Sequence, residues 1–256
     1  MVRCMLVNIG ELHLEAALII EVNMNGNNEI NWYQKVTEEC RGYQIPNETI
    51  DNCLDVGCNV GGFVNAWKHR INKFYCVDAS LYNIEQASQN LSDLGKERVF
   101  LMNYAVHNRS GDKLKLRPFV SNGKLSNSGS FGTTEFVYKD RPSVEGWIDV
   151  GIAEEVETIS FQDLLSDSLA FFEEEEIDLM KIDIEGAEYD FLIGQDLTKI
   201  RYITMEFHNF LSKMDSDTEG INRGDALHQH ILKTHSMVYS SGDGVHSHYN
   251  RFYRKN

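Results

Sequence analysis

Cys53-Leu54-Asp55-Val56-Gly57-Cys58-Asn59-Val60-Gly61-Gly62-Phe63 is a short apolar run that ends on glycine and opens a helix. A glycine turn between strand and helix lets a ligand approach the backbone and aims the helix N-terminus at it. The helical character continues to about Arg70, and Lys73 to Asp78 reads as a second strand. Tyr82 to Leu94 places Ile84, Ala87, Leu91 and Leu94 on one helical face, and Val99 to Val106 reads as a third strand. Strand, helix, strand, helix, strand predicts an α/β fold with a mostly parallel sheet and helices on both faces.

Upstream, Leu12, Leu14, Ala16, Leu18 and Ile20 alternate like a strand, yet the same run suits a helix. Asn31 to Tyr43 reads as a helix with Trp32, Val36 and Cys40 on one face. Residues 1–48 are therefore expected to be an N-terminal extension, and 49–256 the main domain. Downstream, Leu114 and Leu116 alternate with Lys113, Lys115 and Arg117 as in a strand or hairpin. Ser, Asn and Gly crowd the stretch from Ser121 to Gly132, so 121–151 reads as an irregular insertion and a candidate substrate lid. Val156 to Ser160 resumes extended structure, and Phe161 to Phe172 is helical. Ile177 to Ile184 and Tyr202 to Phe207 are buried strands. A helix around Gly224 to Thr234 precedes strands at Met237–Ser240 and Tyr249–Arg254, joined by a Gly242-Asp243-Gly244 turn.

The 256 residues carry 24 Lys+Arg against 39 Asp+Glu, a net charge of -15, with 42% hydrophobic residues. This is the profile of a globular domain that needs no disulfide or metal staple. Acid excess argues against a polyanion partner, because phosphate contacts need Lys and Arg. The longest apolar run, Leu14 to Val22, holds Glu15 and Glu21 and is too short to span a bilayer. No basic segment followed by a clean apolar core marks a secretory signal. Five Cys with no CxxC pair suit reduced thiols, so a cytoplasmic location is expected.

Two constellations carry chemistry. In the first, Asp78 lies about 20 residues beyond the glycine turn, at the end of the next strand, where an acid can accept from a ribose diol. The chain reads Gly57-x-Asn59-x-x-Gly62, without the middle glycine that admits a pyrophosphate, so a dinucleotide is disfavoured. The glycines could equally serve packing alone. The second is Lys181-Ile182-Asp183-Ile184-Glu185-Gly186-Ala187-Glu188, where a buried strand runs out into a helix. Sites in open α/β sheets lie at such strand ends. A carboxylate there can act as a base, bind a cation or orient a ligand. Glu188 reads best as a complement to the helix N-terminus, Glu185 reads equally either way, and Asp183 reads as functional.

These stretches resemble the FkbM-type S-adenosylmethionine-dependent methyltransferases. The likeness rests on Asp55-Val56-Gly57-x-Asn59-x-Gly61-x-Phe63 and on the KIDIEGAE string above. Val156 to Leu165 and Met205-Glu206-Phe207-His208 agree with it, so it covers roughly residues 50–256. It implies the class I methyltransferase sheet, seven strands with the last antiparallel, and O-methylation of a hydroxyl on a sugar, glycan or natural product. It places Asp55, Gly57, Asn59 and Gly61 at the methionine part of the cofactor, Asp78 at the ribose, and Asn103 and Ala105 beside the adenine. Asp78 stands where the family commonly has Glu, and the 121–151 insertion has no match.

A hydroxyl is a poor nucleophile at neutral pH, so a base or a metal must help it. Asp183, Glu206 and His208 are the candidates, at or just past the ends of neighbouring strands. They could form a divalent-metal site of O and N ligands. His208 could instead be a metal-free base, or only satisfy a backbone group. His228, His230, His235, His246 and His248 read as solvated or substrate-facing.

Two other classes stay open: a nicotinamide-dependent oxidoreductase, and a non-catalytic methyltransferase-like binding subunit. Residues 153–196 hold 15 acidic residues and one basic residue, Lys181, so nearly all the net charge sits in that segment. A nucleotide or sugar phosphate acceptor therefore stays open, although nucleic acid is not the expected partner. The carboxylate-rich edge suits a sulfonium cofactor, which is a cation.

Overall fold

The computed structural model describes residues 32–117, 119–121, 124–125, 132–133, 147–149, 154–208, 219–241 and 248–256. The compact unit that carries the sheet spans Tyr33–Asn256. Helix α1 (Trp32–Cys40) precedes β1 (Ile50–Val56), α2 (Gly62–Trp67), β2 (Ile71–Asp78), α3 (Leu81–Asn90) and β3 (Val99–Asn103). After β4 (Ala105–His107) and β5 (Lys113–Arg117) come the short strands β6 (Phe119–Ser121), β7 (Lys124–Leu125), β8 (Gly132–Thr133) and β9 (Trp147–Asp149). The chain then forms β10 (Glu154–Ser160), α4 (Phe161–Phe172), β11 (Ile177–Ile182), α5 (Glu188–Leu192) and β12 (Ile200–His208). Helix α6 (Glu219–Ile231) and strands β13 (His235–Ser240) and β14 (His248–Lys255) close the described chain.

The main sheet has seven strands in the order β13-β14-β12-β11-β1-β2-β3. β1, β2, β3, β11 and β12 are mutually parallel. β14 slots between β12 and β13 and runs antiparallel to both. The middle strands are covered on both faces, which is why Leu54, Val56, Ile177, Leu179, Met180 and Ile182 are all fully buried. One face packs against α4, through Leu164, Leu165 and Phe172, and against α5 and α6. Helix α4 starts where the Ser160 hydroxyl accepts from the Asp163 N–H, a conventional N-cap.

The third strand departs from its expected form. Val99 to Val106 divides at Tyr104 into β3 in the main sheet and β4 in a second sheet ordered β4-β10-β5-β8. Asn103 Nδ2 donates to the carbonyls of Asp78 and Ala79, which ties down the end of β3 and turns the chain away. In the 121–151 stretch the described residues are strand pieces: β6 pairs with β7 and β9, and β8 with β5. The rest of that insertion, residues 1–31 and the Gly242-Asp243-Gly244 turn lie outside the described residues.

Among the late histidines, His228 Nδ1 meets the Tyr253 hydroxyl at 2.9 Å, His230 Nε2 the Gln195 carbonyl and His235 Nε2 the Ile200 carbonyl. His235 is buried, whereas His228 and His230 are partly exposed on α6. His246 lies outside the described residues, as does the side chain of His248.

Candidate active site

The turn after β1 is shaped by its glycines. Gly57 has φ +80°, and a Cβ built there would sit 1.9 Å from the Asp183 carbonyl oxygen. Gly61 has φ +88°, with a built Cβ 2.7 Å from Leu91. Both positions are therefore glycine for packing and for left-handed backbone, whatever ligand lies outside. Asn59 adopts the same region at φ 51°, as Asn tolerates. The backbone N–H groups of Gly57 and Cys58 donate to the Val77 carbonyl, and that of Gly61 to the Cys58 carbonyl. Those of Asn59 and Val60 donate to the Asp78 and Asn59 side chains. Every backbone N–H from Gly57 to Gly61 is thus used inside the protein, which agrees with the missing middle glycine.

Asp78 ends β2, partly exposed. Its Oδ2 accepts from the Asn59 N–H at 2.8 Å, and its Oδ1 from the Ser80 N–H at 2.9 Å and Asn83 Nδ2 at 3.1 Å. Burial pushes its carboxyl up, and these donors oppose the rise. Asn103 stands directly across from Asp78 in the β2–β3 register, so the structure brings that pair together. Ala105 is buried and begins β4 in the second sheet. Asp55 is fully buried, and its Oδ1 lies 3.2 Å from the Lys181 ammonium. It supports the turn from beneath instead of lining the space outside it.

The second constellation gathers at the ends of β11 and β12. The strand stops at Ile182, and the Asp183 N–H donates to the Val56 carbonyl, so Asp183 projects just past the sheet. His208 ends β12 and is 5% exposed. Its Nδ1 lies 2.8 Å from Glu188 Oε1, and its Nε2 lies 3.7 Å from Asp183 Oδ1 and 3.5 Å from Glu185 Oε2. Glu188 Oε1 is the hydrogen-bond partner of Nδ1. Burial alone would lower the imidazolium, but the Glu188 charge and hydrogen bond, with Asp183 and Glu185, hold it at about 10. At neutral pH the histidine is therefore a cation with no lone pair to offer, which tells against the metal-free base.

Glu188 stands in the first turn of α5, as expected of a helix complement. It is also fully buried, accepts from the Ile184 N–H and meets His208 Nδ1. Glu185 stands at φ 55°, a left-handed position unusual for Glu. Burial and the neighbouring carboxylates push its carboxyl up to about 7, although the His208 charge works against them. Tyr43, from the segment between α1 and β1, donates its hydroxyl to Asp183 Oδ2 at 2.9 Å and approaches Glu206 Oε2 at 3.4 Å. Burial and the two carboxylates hold its phenol well above the usual range, so it stays a donor.

Asp183, Glu206 and His208 each offer one ligand atom, all within 4.8 Å of one another. Two oxygens and one imidazole nitrogen at that spacing fit a divalent ion of the magnesium or manganese kind, whose charge would replace the Nε2 proton. The expected trio is thus together in space.

Three contributors escaped the sequence reading. Tyr43 reaches Asp183 across 140 residues and carries no local signature. Glu188 lies inside the KIDIEGAE string, whose local pattern shows its place at the helix start but not its contact with His208. Lys181 is the one basic residue of the acidic segment.

A mostly parallel seven-stranded sheet packed with helices is the fold of the class I methyltransferases. The methyltransferase FkbM domain profile matches residues 55–239, and the chain belongs to that family. Over 69 residues, 26% of this chain and 3% of the relative, it is 44% identical to the AMB antimetabolite synthetase AmbE of Pseudomonas aeruginosa. The chain thus spans only a small part of that curated relative. Among solved structures, a methyltransferase FkbM from Methylobacillus flagellatus KT is similar over 82% of this chain and 45% of its own, at 11% identity and TM-score 0.46. Aeropyrum pernix fibrillarin with natively bound S-adenosyl-L-methionine is similar over 86% of this chain and 73% of its own, at 9% identity and TM-score 0.43.

Proposed function

We propose that the protein transfers a methyl group from S-adenosylmethionine to a hydroxyl of a sugar, glycan or natural-product acceptor. The observation that carries this reading is the cluster of Asp183, Glu185, Glu188, Glu206 and His208 beside a turn whose N–H donors are spent. Such a place is rich in acceptors and favours a cationic ligand such as a sulfonium over a phosphate. Asp78 takes the ribose diol, Asn103 lies by the adenine with Ala105 behind it, and Gly57, Asn59 and Gly61 shape the methionine end.

The acceptor oxygen attacks the methyl carbon as the bond to sulfur breaks, leaving S-adenosylhomocysteine and a methyl ether. Catalysis is mainly alignment of oxygen, carbon and sulfur. Asp183 accepts the hydroxyl proton, while the Tyr43 hydroxyl, which also approaches Glu206, holds its carboxylate in place. His208 balances the surrounding negative charge. A divalent ion held by Asp183, Glu206 and His208 would make the acceptor hydroxyl more acidic. Four buried free thiols, Cys40, Cys53, Cys58 and Cys76, suit a reducing cytoplasm. No helix among the described residues is long and apolar enough to cross a membrane.

Calorimetry with S-adenosylmethionine tests the donor: no binding at millimolar ligand would sink the proposal. Asp78→Ala is expected to weaken that binding. Asp183→Ala is expected to spare binding and abolish turnover across a panel of hydroxyl acceptors. Full activity in Asp183→Ala would remove it from the mechanism.

A further inference from the structure

Lys181 is a charged side chain in the middle of the sheet, 2% exposed. Across the strands Asp55, Lys181 and Thr204 stand in one row. The ammonium donates to the Gly57 carbonyl at 2.6 Å and lies 3.2 Å from Asp55 Oδ1. Tyr43 covers it, the ring centroid 5.8 Å away. Asp55 Oδ2 and Thr204 Oγ1 have no hydrogen-bond partner among the described residues, so the row is incompletely satisfied. Buried ion pairs of this kind are often no more stable than apolar residues of similar volume. A gain in stability is therefore a poor reason for this pair to be here.

What the pair touches gives a better one. Gly57 is the first residue of the turn, and three contacts fix it: its N–H donates to Val77, its Cα abuts the Asp183 carbonyl, and its own carbonyl is held by Lys181. The first two are backbone contacts that any sequence with Gly at 57 would make. The third is a hydrogen bond supplied by a side chain, and it comes from the strand that leads to Asp183 two residues further on. Lys181 thus ties the cofactor turn to the strand bearing the catalytic carboxylate, and Asp55 makes that ammonium tolerable inside the sheet.

Resting on the methyltransferase reading, we infer that Lys181 is a positioning residue: it sets the glycine turn at the distance from Asp183 that cofactor binding needs. Asp55 then acts on the cofactor only through Lys181.

The test uses the full chain, with S-adenosylhomocysteine as the probe, in calorimetry alongside thermal melting. The double variant Asp55→Leu/Lys181→Met removes both charges and leaves none unpaired. It is expected to melt within a few degrees of wild type and to bind the probe about tenfold more weakly or worse. Lys181→Met alone should behave similarly, because burial already pushes the Asp55 carboxyl up and it can take a proton. Wild-type affinity in either folded variant overturns the inference, as does failure of both to fold, which would make the pair a requirement of the fold itself. A wild-type protein that does not bind the probe would instead overturn the methyltransferase reading.

Discussion

The abutment of Gly57 on Asp183 supports a quantitative prediction. Gly57→Ala meets two separate penalties. An alanine at φ +80° costs about 1–2 kcal/mol against the right-handed alternative. Its Cβ would also stand 1.9 Å from the Asp183 carbonyl oxygen and 2.9 Å from the carbonyl carbon, so the turn and strand must part by more than an ångström. Overpacking of that kind adds roughly 1–3 kcal/mol. Gly194 is the matched control, at φ +88° with nothing within 4 Å of a built Cβ, so Gly194→Ala meets the conformational penalty alone. Urea unfolding should place Gly57→Ala below Gly194→Ala by about 1–3 kcal/mol. In thermal melting the gap should be about 2–12 °C for a chain of this size. Gly57→Ala should also lose S-adenosylmethionine affinity, because parting the turn from Asp183 disturbs both halves of the site, and Gly194→Ala should not. Equal destabilisation by the two substitutions would refute the argument, since it would mean that the left-handed backbone, and not the contact, is all that glycine provides.

Three further outcomes are expected. With divalent ions removed by a chelator, His208 at about 10 in the folded protein against 6.5 unfolded stabilises the fold fully below pH 6.5. That contribution fades as pH rises through 10, and Glu188→Gln should flatten the decline in urea midpoint between pH 7 and 10; an unchanged slope would mean that Glu188 does not hold the proton. Tyr43→Phe keeps the ring but deletes the donor to Asp183, and should lower stability by roughly 1–3 kcal/mol at pH 8. No change in its urea midpoint would remove Tyr43 from the site. Manganese added to the wild-type protein should give a bound signal by electron paramagnetic resonance that Asp183→Asn weakens. A free-ion spectrum at millimolar manganese would take the cation out of the mechanism.

The parts of the fold visible in the sequence were those written in local chemistry. Mostly apolar runs at 53–56, 73–78, 177–182 and 202–207 mark buried strands, and each is a strand of the parallel sheet. Helix α4 was legible to the residue because Ser160 caps it and the apolar spacing lasts until Phe172. The division of Val99 to Val106 was not, since the Asn103 amide that ends β3 takes its partners from a loop 25 residues earlier. The site shows the same split. Asp183, Glu206 and His208 were legible as candidates because each stands at or beside the end of a recognisable strand. Tyr43 was hidden by distance along the chain, and Glu188 by a plausible local role. In Gly57 a close approach of two backbones looks identical, in one sequence, to a ligand-binding glycine.

The place of β14 bears on how the protein is made. Although β14 follows every other described strand in the sequence, it lies inside the sheet, with seven residues paired to β12. Until it is synthesised, β12 presents an open row of N–H and C=O groups along its free side, and Glu206 and His208 sit on that unguarded border. Such a border invites pairing with another unfinished chain. The nascent protein would thus carry its own hazard until the final strand is threaded between β12 and β13, and only then does the carboxylate cluster gain a closed wall.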